Sequence, residues 1–239
     1  LDASARTVWN DSLADYACEP QLDSDGLSWR LAVKETLDAK ILAPASAPHA
    51  HTGGLKMLDG NIGRAVIKIS AVSPDHHIVS APAAVFTNEA DVKTAYKDGR
   101  LTRDVVVVVA GQGPVANGMP ELHSLTPMLS NLQDQGFAVA LVTDGRMSGA
   151  SGKVPAAIHV CPEAVNDGPI GRIKDGDIIT LDAGAGVLSV NADLTERTGD
   201  VFFSPAHQVG FGRQLFASMR AQANSAEAGG GINIIKELL

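Results

Sequence analysis

The feature that most restricts the fold of this chain is a run of five consecutive valines, Val105–Val109, between Asp104 and Gly111. A strand with one face in water alternates apolar with polar side chains, but this run is apolar on both of its faces. The run therefore predicts a strand that is buried on both sides, as in the middle of a parallel sheet.

The segment after the valine run has the pattern of a helix followed by a second buried strand. Four leucines at near-helical spacing lie between Pro120 and Gly136, which predicts a helix that begins at the proline and ends at the glycine. The short apolar stretch 137–143 follows directly and predicts a strand. Together these elements form a βαβ unit, in which the strands are parallel and the crossover is right-handed.

Further short strands and helices are predicted on either side of this unit. Apolar or β-branched stretches bounded by turn residues predict strands at 62–72, 78–86, 157–160, 178–182 and 186–190. Asn88 can cap a short helix that ends near Lys97, and residues 210–223 predict a final helix. The mixture predicts an α/β fold with a parallel layer and an antiparallel layer.

The chain divides into three parts by the character of its sequence. Residues 1–50 are predicted to form an arm or linker with two helices, at 5–16 and 28–39, before a stretch rich in alanine and proline. Residues 51–228 contain the predicted strands and are expected to form the main domain. The glycine-rich end, residues 229–239, is expected to be a mobile tail.

Composition argues against several classes of protein. The net charge of -8 argues against nucleic-acid binding, which needs a basic surface. No apolar run approaches the roughly 18 residues of a membrane-spanning helix, and the beginning of the chain lacks the pattern of a secretion signal. Cys18 and Cys161 are far apart and form no CxxC motif, which argues against a disulfide scaffold or an all-cysteine metal site. We therefore expect a cytoplasmic protein with no nucleic-acid or membrane partner.

Two glycine-rich loops follow the two strands of the βαβ unit, at 111–121 and 143–153. Ligands bind beyond the carboxyl ends of strands in open α/β sheets, so these loops are expected to lie side by side at the ligand-binding edge. Backbone amides in such loops favour anions. The second loop does not match an ATP-binding phosphate loop, because Met147 and Val154 occupy positions where that motif needs glycine and a hydroxyl residue.

Five polar side chains in the two loops could carry chemistry, and each also has a purely structural interpretation. Glu121 falls in the first turn of the predicted helix, where the helix dipole alone favours an acid. Ser148 and Asp144 could serve only to form or satisfy turns. Arg146 and Lys153 could be solvated loop charges. The residues alone therefore indicate an anion-binding site on an α/β domain, without specifying a reaction.

The sequence segment 142–160, which includes the motif Gly-Arg-Met-Ser-Gly, closely resembles sequences of the dihydroxy-acid and 6-phosphogluconate dehydratase family. Further phrases resemble the 6-phosphogluconate branch of that family, and they lie at 51–56, 60–61, 112–114 and 116–123. The likeness extends over residues 52–228. Cys161 departs from it, because a small hydroxyl residue is expected at that position.

The resemblance implies a fold and an activity. In this family an N-terminal domain holds a 4Fe–4S cluster through three cysteines, and the C-terminal domain is a swivelling β/β/α unit. The chain resembles only the second part, so we expect it to hold no iron–sulfur ligand and to be inactive alone, with residues 1–50 continuing from the missing domain. The intact enzyme is expected to be a hydro-lyase that converts 6-phospho-D-gluconate to 2-dehydro-3-deoxy-6-phospho-D-gluconate in the Entner–Doudoroff pathway of gluconate utilization.

The resemblance also implies roles for the loop residues. The serine of the Gly-Arg-x-Ser-Gly phrase, here Ser148, is expected to remove the C2 proton, while an open iron of the cluster accepts the C3 hydroxyl as a Lewis acid. A serine is a weak base without nearby positive charge, which Arg146 and Lys153 are expected to supply. Asp144 is expected to support the substrate or the loop. The glutamate of the Gly-Met-Pro-Glu phrase, here Glu121, is expected to bind Mg²⁺.

Two other interpretations remain open. A related dehydratase that acts on a sugar acid or a dihydroxy acid would share most of these motifs. The sequence at 116–123 argues against such an enzyme. A catalytically silent binding domain would also fit, if the natural gene encoded no cluster domain upstream. For the main interpretation, the expected partners are a phosphorylated sugar acid, the N-terminal cluster domain and a second copy of the enzyme in a homodimer.

Overall fold

A computed structural model describes residues 4–8, 12–33, 35–148, 152–199 and 209–232. The chain forms two compact units, Leu1–Gly53 and Gly54–Leu239. None of the helices in the described ranges is long and apolar enough to cross a membrane. The predicted three-part division, with its mobile tail, stays a prediction, and residues 233–239 of that tail lie outside the described residues.

The first unit contains a β-hairpin where the sequence predicted a helix. Strands β1 (Cys18–Asp23) and β2 (Gly26–Leu31) pair antiparallel. The helix predicted at 28–39 is therefore wrong. Apolar and polar residues alternate along β2, which is the period of a strand, and Gly26 adopts a φ of 112° in the tight turn between the strands.

The other helix predicted in this unit, at 5–16, is also wrong where the structure describes it. Residues 5–8 are not helical, and residues 9–11 lie outside the described ranges. Only Leu13–Ala17 is helical, as a 3-10 helix in which the side chain of Ser12 accepts a hydrogen bond from the N–H of Ala14. The cap is local, and the apolar spacing beyond it does not continue the helix.

Eight strands form one sheet in the second unit. In chain order they are β3 (Leu55–Leu58), β4 (Arg64–Lys68), β5 (Ile78–Phe86), β6 (Val105–Val109), β7 (Val139–Thr143), β8 (Ala156–Cys161), β9 (Ile178–Asp182) and β10 (Val187–Val190). Their order across the sheet is β10-β9-β5-β6-β7-β8-β4-β3. The central strands β5 to β8 are parallel, and the outer strands pair antiparallel. The predicted α/β fold with parallel and antiparallel parts is confirmed.

The two edges of this sheet meet, so that the strands enclose a core. The N–H of Asp59, directly after β3, donates to the Gly186 carbonyl at 2.9 Å, and its carbonyl accepts from the N–H of Leu188 at 3.0 Å. The side chain of Asn61 adds two hydrogen bonds to the backbone of Val190, both 2.8 Å long. Closure of this kind removes unpaired strand edges, on which other chains could otherwise pair.

Short helices accompany the sheet. Among the described residues, the α-helices are α1 (Glu89–Lys97), α2 (Pro114–Asn117), α3 (Thr126–Asp134), α4 (Phe211–Leu215) and α5 (Ala217–Ala221). Short 3-10 helices lie in the same ranges at Pro74–His76, His123–Leu125, Ala164–Asn166, Pro169–Arg172 and Ala226–Ala228. The cap predicted for α1 is confirmed, because Asn88 accepts a hydrogen bond from the N–H of Asp91. The single final helix predicted at 210–223 is wrong, since Phe216 divides it into α4 and α5.

The valine strand β6 separates two apolar clusters. Val106 and Val108 belong to the core that the strands enclose, whereas Val105, Val107 and Val109 pack against the outer cluster. Leucines of α3 and apolar residues of α1 cover that outer cluster. All five valines are fully buried, as their sequence predicted, because both faces of β6 are covered.

The connection from β6 to β7 differs from the prediction in one respect. The helix predicted to begin at Pro120 begins only at Thr126, after a 3-10 turn. Gly118 and Met119 have positive φ values of 72° and 52°, which end α2 and redirect the chain. Glu121 therefore lies in a loop and not in the first turn of an α-helix.

Candidate active site

The two glycine-rich loops contact each other beyond the carboxyl ends of β6 and β7, as predicted, and Asp144 joins them. Its Oδ1 accepts from the N–H of Gln112 at 2.8 Å, and its Oδ2 accepts from Gly111 at 3.1 Å and Ala164 at 2.9 Å. Burial raises the pKa of Asp144, and these backbone hydrogen bonds act against the rise. Asp144 is 0% exposed and its hydrogen bonds support both loops, while the substrate role predicted for it stays a prediction.

A second buried carboxylate, Glu163, holds the first loop. Its oxygens accept from the N–H groups of Val115 and Ala116 at 3.1 and 3.0 Å, and the residue is 4% exposed. Burial raises the pKa of Glu163, the backbone hydrogen bonds lower it, and the charge of Asp144 raises it. Gly113 permits the close approach, because a Cβ there would lie 2.2 Å from a Glu163 oxygen. No sequence motif marks Glu163, and sequence reasoning missed it.

Side-chain hydrogen bonds tie the same loop to its surroundings. Gln112 donates to the carbonyl of Thr87 at 2.6 Å and accepts from the amide of Asn117 at 2.8 Å. Asn117 accepts in turn from the guanidinium of Arg213 in α4, which also donates to the Ala116 carbonyl at 3.2 Å. The first loop is therefore fixed by side chains as well as by the two buried carboxylates.

Glu121 links the first loop to the second through both of its carboxylate oxygens. Oε1 accepts from the N–H of Ser148 at 2.6 Å, and Oε2 lies 3.2 Å from Nη1 of Arg146. Arg146 also donates through Nε to the carbonyl of Met119 at 2.7 Å. The helix-dipole interpretation of Glu121 is wrong, because these contacts replace the predicted helical turn. Three of the predicted site residues thus lie in one hydrogen-bonded cluster.

Ser148 is half-buried and lies at the edge of a small hollow. The hollow is lined by Lys68, Met147, Ser148, Gly152, Val154, Ala156 and Ile158. Most of the described lining is apolar, and Lys68 is the basic residue among these described residues. Sequence reasoning missed Lys68, because a lysine at the end of a strand such as β4 is usually an ordinary surface residue.

Lys153, which was predicted to support the serine, forms an ion pair elsewhere. Its Nζ lies 3.3 Å from Oδ1 of Asp134, at the end of α3, and its side chain is 63% exposed. Lys153 is not among the described residues that line the Ser148 hollow. Exposed ion pairs of this kind contribute little to stability. The role predicted for Lys153 stays a prediction.

His159 is a further titratable side chain close to the cluster. The backbone N–H of His159 donates to the carbonyl of Gly145 at 2.9 Å, so β8 contacts the second loop at this residue. Burial lowers the pKa of His159, and the positive charge of Arg146 lowers it further. The imidazole is therefore neutral near pH 7. Sequence reasoning missed it, because a lone histidine within an apolar strand carries no motif.

The described residues include a carboxylate that can contribute to a Mg²⁺ site. Mg²⁺ is often bound by one or two carboxylates together with waters and substrate oxygens. Glu121 can supply one such carboxylate. A bound Mg²⁺ would compete with the guanidinium of Arg146 for its oxygens. In the described ranges no three histidine, cysteine or acidic side chains are grouped to hold a metal ion. The sequence contains only Cys18 and Cys161, which cannot supply three thiolates to a cluster.

Comparison with known proteins identifies close relatives. Residues 40–230 match the model described as the dihydroxy-acid/6-phosphogluconate dehydratase C-terminal domain. A phosphogluconate dehydratase from Pseudomonas aeruginosa is 50% identical over 232 residues, which is 96% of this chain and 38% of the relative. One from Rhizobium meliloti is 50% identical over 239 residues, which is 97% of this chain and 39% of the relative. A dihydroxy-acid dehydratase from Halothermothrix orenii is 42% identical over 165 residues, covering 67% of this chain and 29% of the relative.

The share of the chain that each relative matches agrees with the resemblance of the loop motifs to the 6-phosphogluconate branch. The likeness to the phosphogluconate dehydratases covers nearly the whole chain, whereas the likeness to the dihydroxy-acid dehydratase covers about two thirds of it. The chain spans less than two fifths of the length of these relatives. It belongs to the dihydroxy-acid/6-phosphogluconate dehydratase family, in which it matches the C-terminal domain.

Proposed function

We propose that this chain forms the proton-abstracting half of the active site of a phosphogluconate dehydratase. The longer enzyme removes water from 6-phospho-D-gluconate and forms 2-dehydro-3-deoxy-6-phospho-D-gluconate. The observation that carries the proposal is the 2.6 Å hydrogen bond from the Ser148 N–H to Glu121, which fixes the serine at the carboxyl edge of the parallel strands. Likeness to the phosphogluconate dehydratases over 96% and 97% of the chain supports the choice of substrate.

Ser148 is the proposed base. Its alkoxide takes the proton from C2, the C2–H electron pair forms the C2=C3 double bond, and hydroxide leaves from C3. The enol loses its hydroxyl proton and gains a proton at C3, which gives the 2-keto product. Because an alcohol is a weak base, the alkoxide needs stabilisation by positive charge nearby.

Lys68 is the cation that the geometry favours for this purpose. It lines the same hollow as Ser148, and the apolar side chains around both residues limit the access of water. A charge interaction is stronger in such surroundings than in bulk water. Neither Arg146 nor Lys153 is among the described residues that line this hollow. Arg146 then acts by orienting Glu121, and so the backbone of Ser148.

The remaining parts of the proposed site are a metal ion and an iron–sulfur cluster. Glu121 is proposed to hold Mg²⁺, which supplies positive charge to substrate oxygens when bound. Loss of the C3 hydroxyl needs an electrophile, which we assign to an iron–sulfur cluster in the N-terminal part of the longer enzyme. We also propose that the enzyme is cytoplasmic and acts as a homodimer.

A substrate panel tests the proposed function. The full-length enzyme that contains this chain is assayed without oxygen on 6-phosphogluconate, gluconate and a branched dihydroxy acid, by following the 2-keto product. We expect strong preference for 6-phosphogluconate, since donors built for a phosphate are left unpaired by gluconate. Comparable efficiency on gluconate would assign a general sugar-acid dehydratase, and no turnover of any substrate would favour a silent binding domain.

A further inference from the structure

A second and larger hollow lies beside the cluster of Glu121 and Arg146. Its walls include Met119 and Arg146 from the two loops, Arg220 from α5, and Gly230 near the end of the described chain. We call it the arginine hollow. Its volume of about 360 Å³ falls within the range of roughly 300–1,000 Å³ that is usual for small-molecule sites.

Two of the described residues that line the arginine hollow are arginines, Arg146 and Arg220. Arg220 donates through Nη2 to the backbone carbonyl of Arg213 at 3.0 Å, and Arg213 is not among the described lining residues. Burial lowers the pKa of Arg213, and the charge of Arg220 lowers it further. Within the described parts of the chain, neither guanidinium takes part in an ion pair. An anion bound in the hollow beside Arg220 would reduce the repulsion that Arg220 exerts on Arg213.

The arginines also have hydrogen-bond donors to spare. A guanidinium carries five N–H groups. Arg220 uses an Nη2–H for the Arg213 carbonyl, while Arg146 uses Nε and Nη1 for Met119 and Glu121. The remaining N–H groups of both arginines are suited to a phosphate, which a guanidinium can bind through two parallel hydrogen bonds.

The hollow around His159 is a weaker candidate for an anion. It is lined by Arg64 and Glu227, and these two side chains form an ion pair of 2.9 Å. Asp59 lies 3.7 Å from the same arginine. Carboxylates therefore already neutralise the cation there, and the imidazole of His159 is neutral near pH 7.

We propose that the arginine hollow binds the phosphate group of the substrate, with Arg220 as its principal ligand. The inference rests on the proposed function, because it takes a phosphorylated sugar acid as the ligand. The hollow shares Arg146 with the cluster around Ser148, so an extended substrate can place its phosphate beside Arg220 and its reacting carbons toward the serine. Arg220 thereby determines the specificity for phosphorylated substrates.

The test compares Arg220→Gln with the matched control Arg103→Gln in the full-length enzyme. Arg103 is exposed and lies outside both hollows. We expect Arg220→Gln to raise KM for 6-phosphogluconate about 10- to 100-fold, with kcat changed far less, because a charged hydrogen bond is lost. The inhibition constant of inorganic phosphate should rise by a similar factor. Arg220→Lys, which keeps the charge but loses the planar donor pair, should be intermediate.

The outcomes separate this inference from the proposed function. If the unsubstituted enzyme does not turn over 6-phosphogluconate, the proposed function fails. If it does, but Arg220→Gln and Arg103→Gln have the same KM and the same phosphate inhibition, the arginine hollow is not the phosphate site. A loss of kcat with unchanged KM and unchanged phosphate inhibition would assign Arg220 a structural role and also overturn the inference.

Discussion

Replacing Asp144 by asparagine tests whether a buried carboxylate holds the two loops together. The amide oxygen can still accept from Gln112, but an NH₂ group takes the place of the oxygen that accepts from Gly111 and Ala164. A hydrogen bond to a charged group contributes about 1.5–3 kcal/mol, so losing two costs about 3–6 kcal/mol. Removing a buried charge offsets part of this loss. We expect the free energy of unfolding to fall by about 2–4 kcal/mol.

Urea unfolding of the chain, followed by far-UV circular dichroism, measures this change. Tryptophan fluorescence is unsuitable, because Trp9 and Trp29 both belong to the first unit and the sheet belongs to the second. Asp75→Asn is the matched control, since Asp75 is exposed and its substitution should change the free energy by less than about 0.5 kcal/mol. If both variants unfold at the same urea concentration, the reasoning about Asp144 is refuted.

Three further predictions concern charges in and around the loops. Glu121→Gln should raise the Mg²⁺ concentration needed for half-maximal activity of the longer enzyme, and an unchanged requirement would remove Glu121 from the metal site. Burial raises the pKa of Glu163 above its ordinary value of 4.5, so its contribution to stability is present below pH 4.5 and is lost as pH rises through the raised pKa. Glu163→Gln should remove this loss in urea unfolding across a pH series, and a steeper loss in the variant would show that the sign is wrong. Lys68→Met should lower turnover about 100-fold and Lys153→Met much less, so equal effects would contradict the choice of Lys68.

The parts of the fold that the sequence predicted are those with a local signal. The run Val105–Val109 specifies a strand that is buried on both faces, whatever its neighbours are. Asn88 forms its cap within its own helical turn. The βαβ order also places the two glycine-rich loops at one edge of the sheet, so their contact followed from topology alone.

The features that sequence reasoning missed depend on contacts between distant segments. Closure of the sheet depends on backbone hydrogen bonds between Asp59 and the residues Gly186 and Leu188. No local sequence pattern predicts these bonds. Glu163 supports the first loop only because the fold places its carboxylate within hydrogen-bonding distance of the backbone N–H groups of Val115 and Ala116. Long-range contacts of this kind are set by packing and not by the residue types near each position in the chain.

Glu121 shows how a local signal can mislead about a site. An acid shortly after a proline and before leucines at helical spacing fits the first turn of a helix. The positive φ of Met119 and the bond to the Ser148 N–H instead place Glu121 between the loops. The resemblance to the family predicted a functional role for Glu121, and the structure shows which groups Glu121 contacts.

The central claim is that Ser148 removes the C2 proton, and solvent exchange at C2 tests it most directly. Full-length enzyme is incubated with 6-phosphogluconate in D₂O, and NMR follows deuterium at C2 of the recovered substrate. Ser73→Ala is the matched control, because Ser73 is an exposed serine whose side chain makes no capping hydrogen bond. Cluster content and circular dichroism confirm that each variant is intact. Ser148→Ala should exchange roughly 100- to 10,000-fold more slowly than Ser73→Ala, as expected when a general base is lost. Exchange in Ser148→Ala at the rate of the unsubstituted enzyme would contradict the claim.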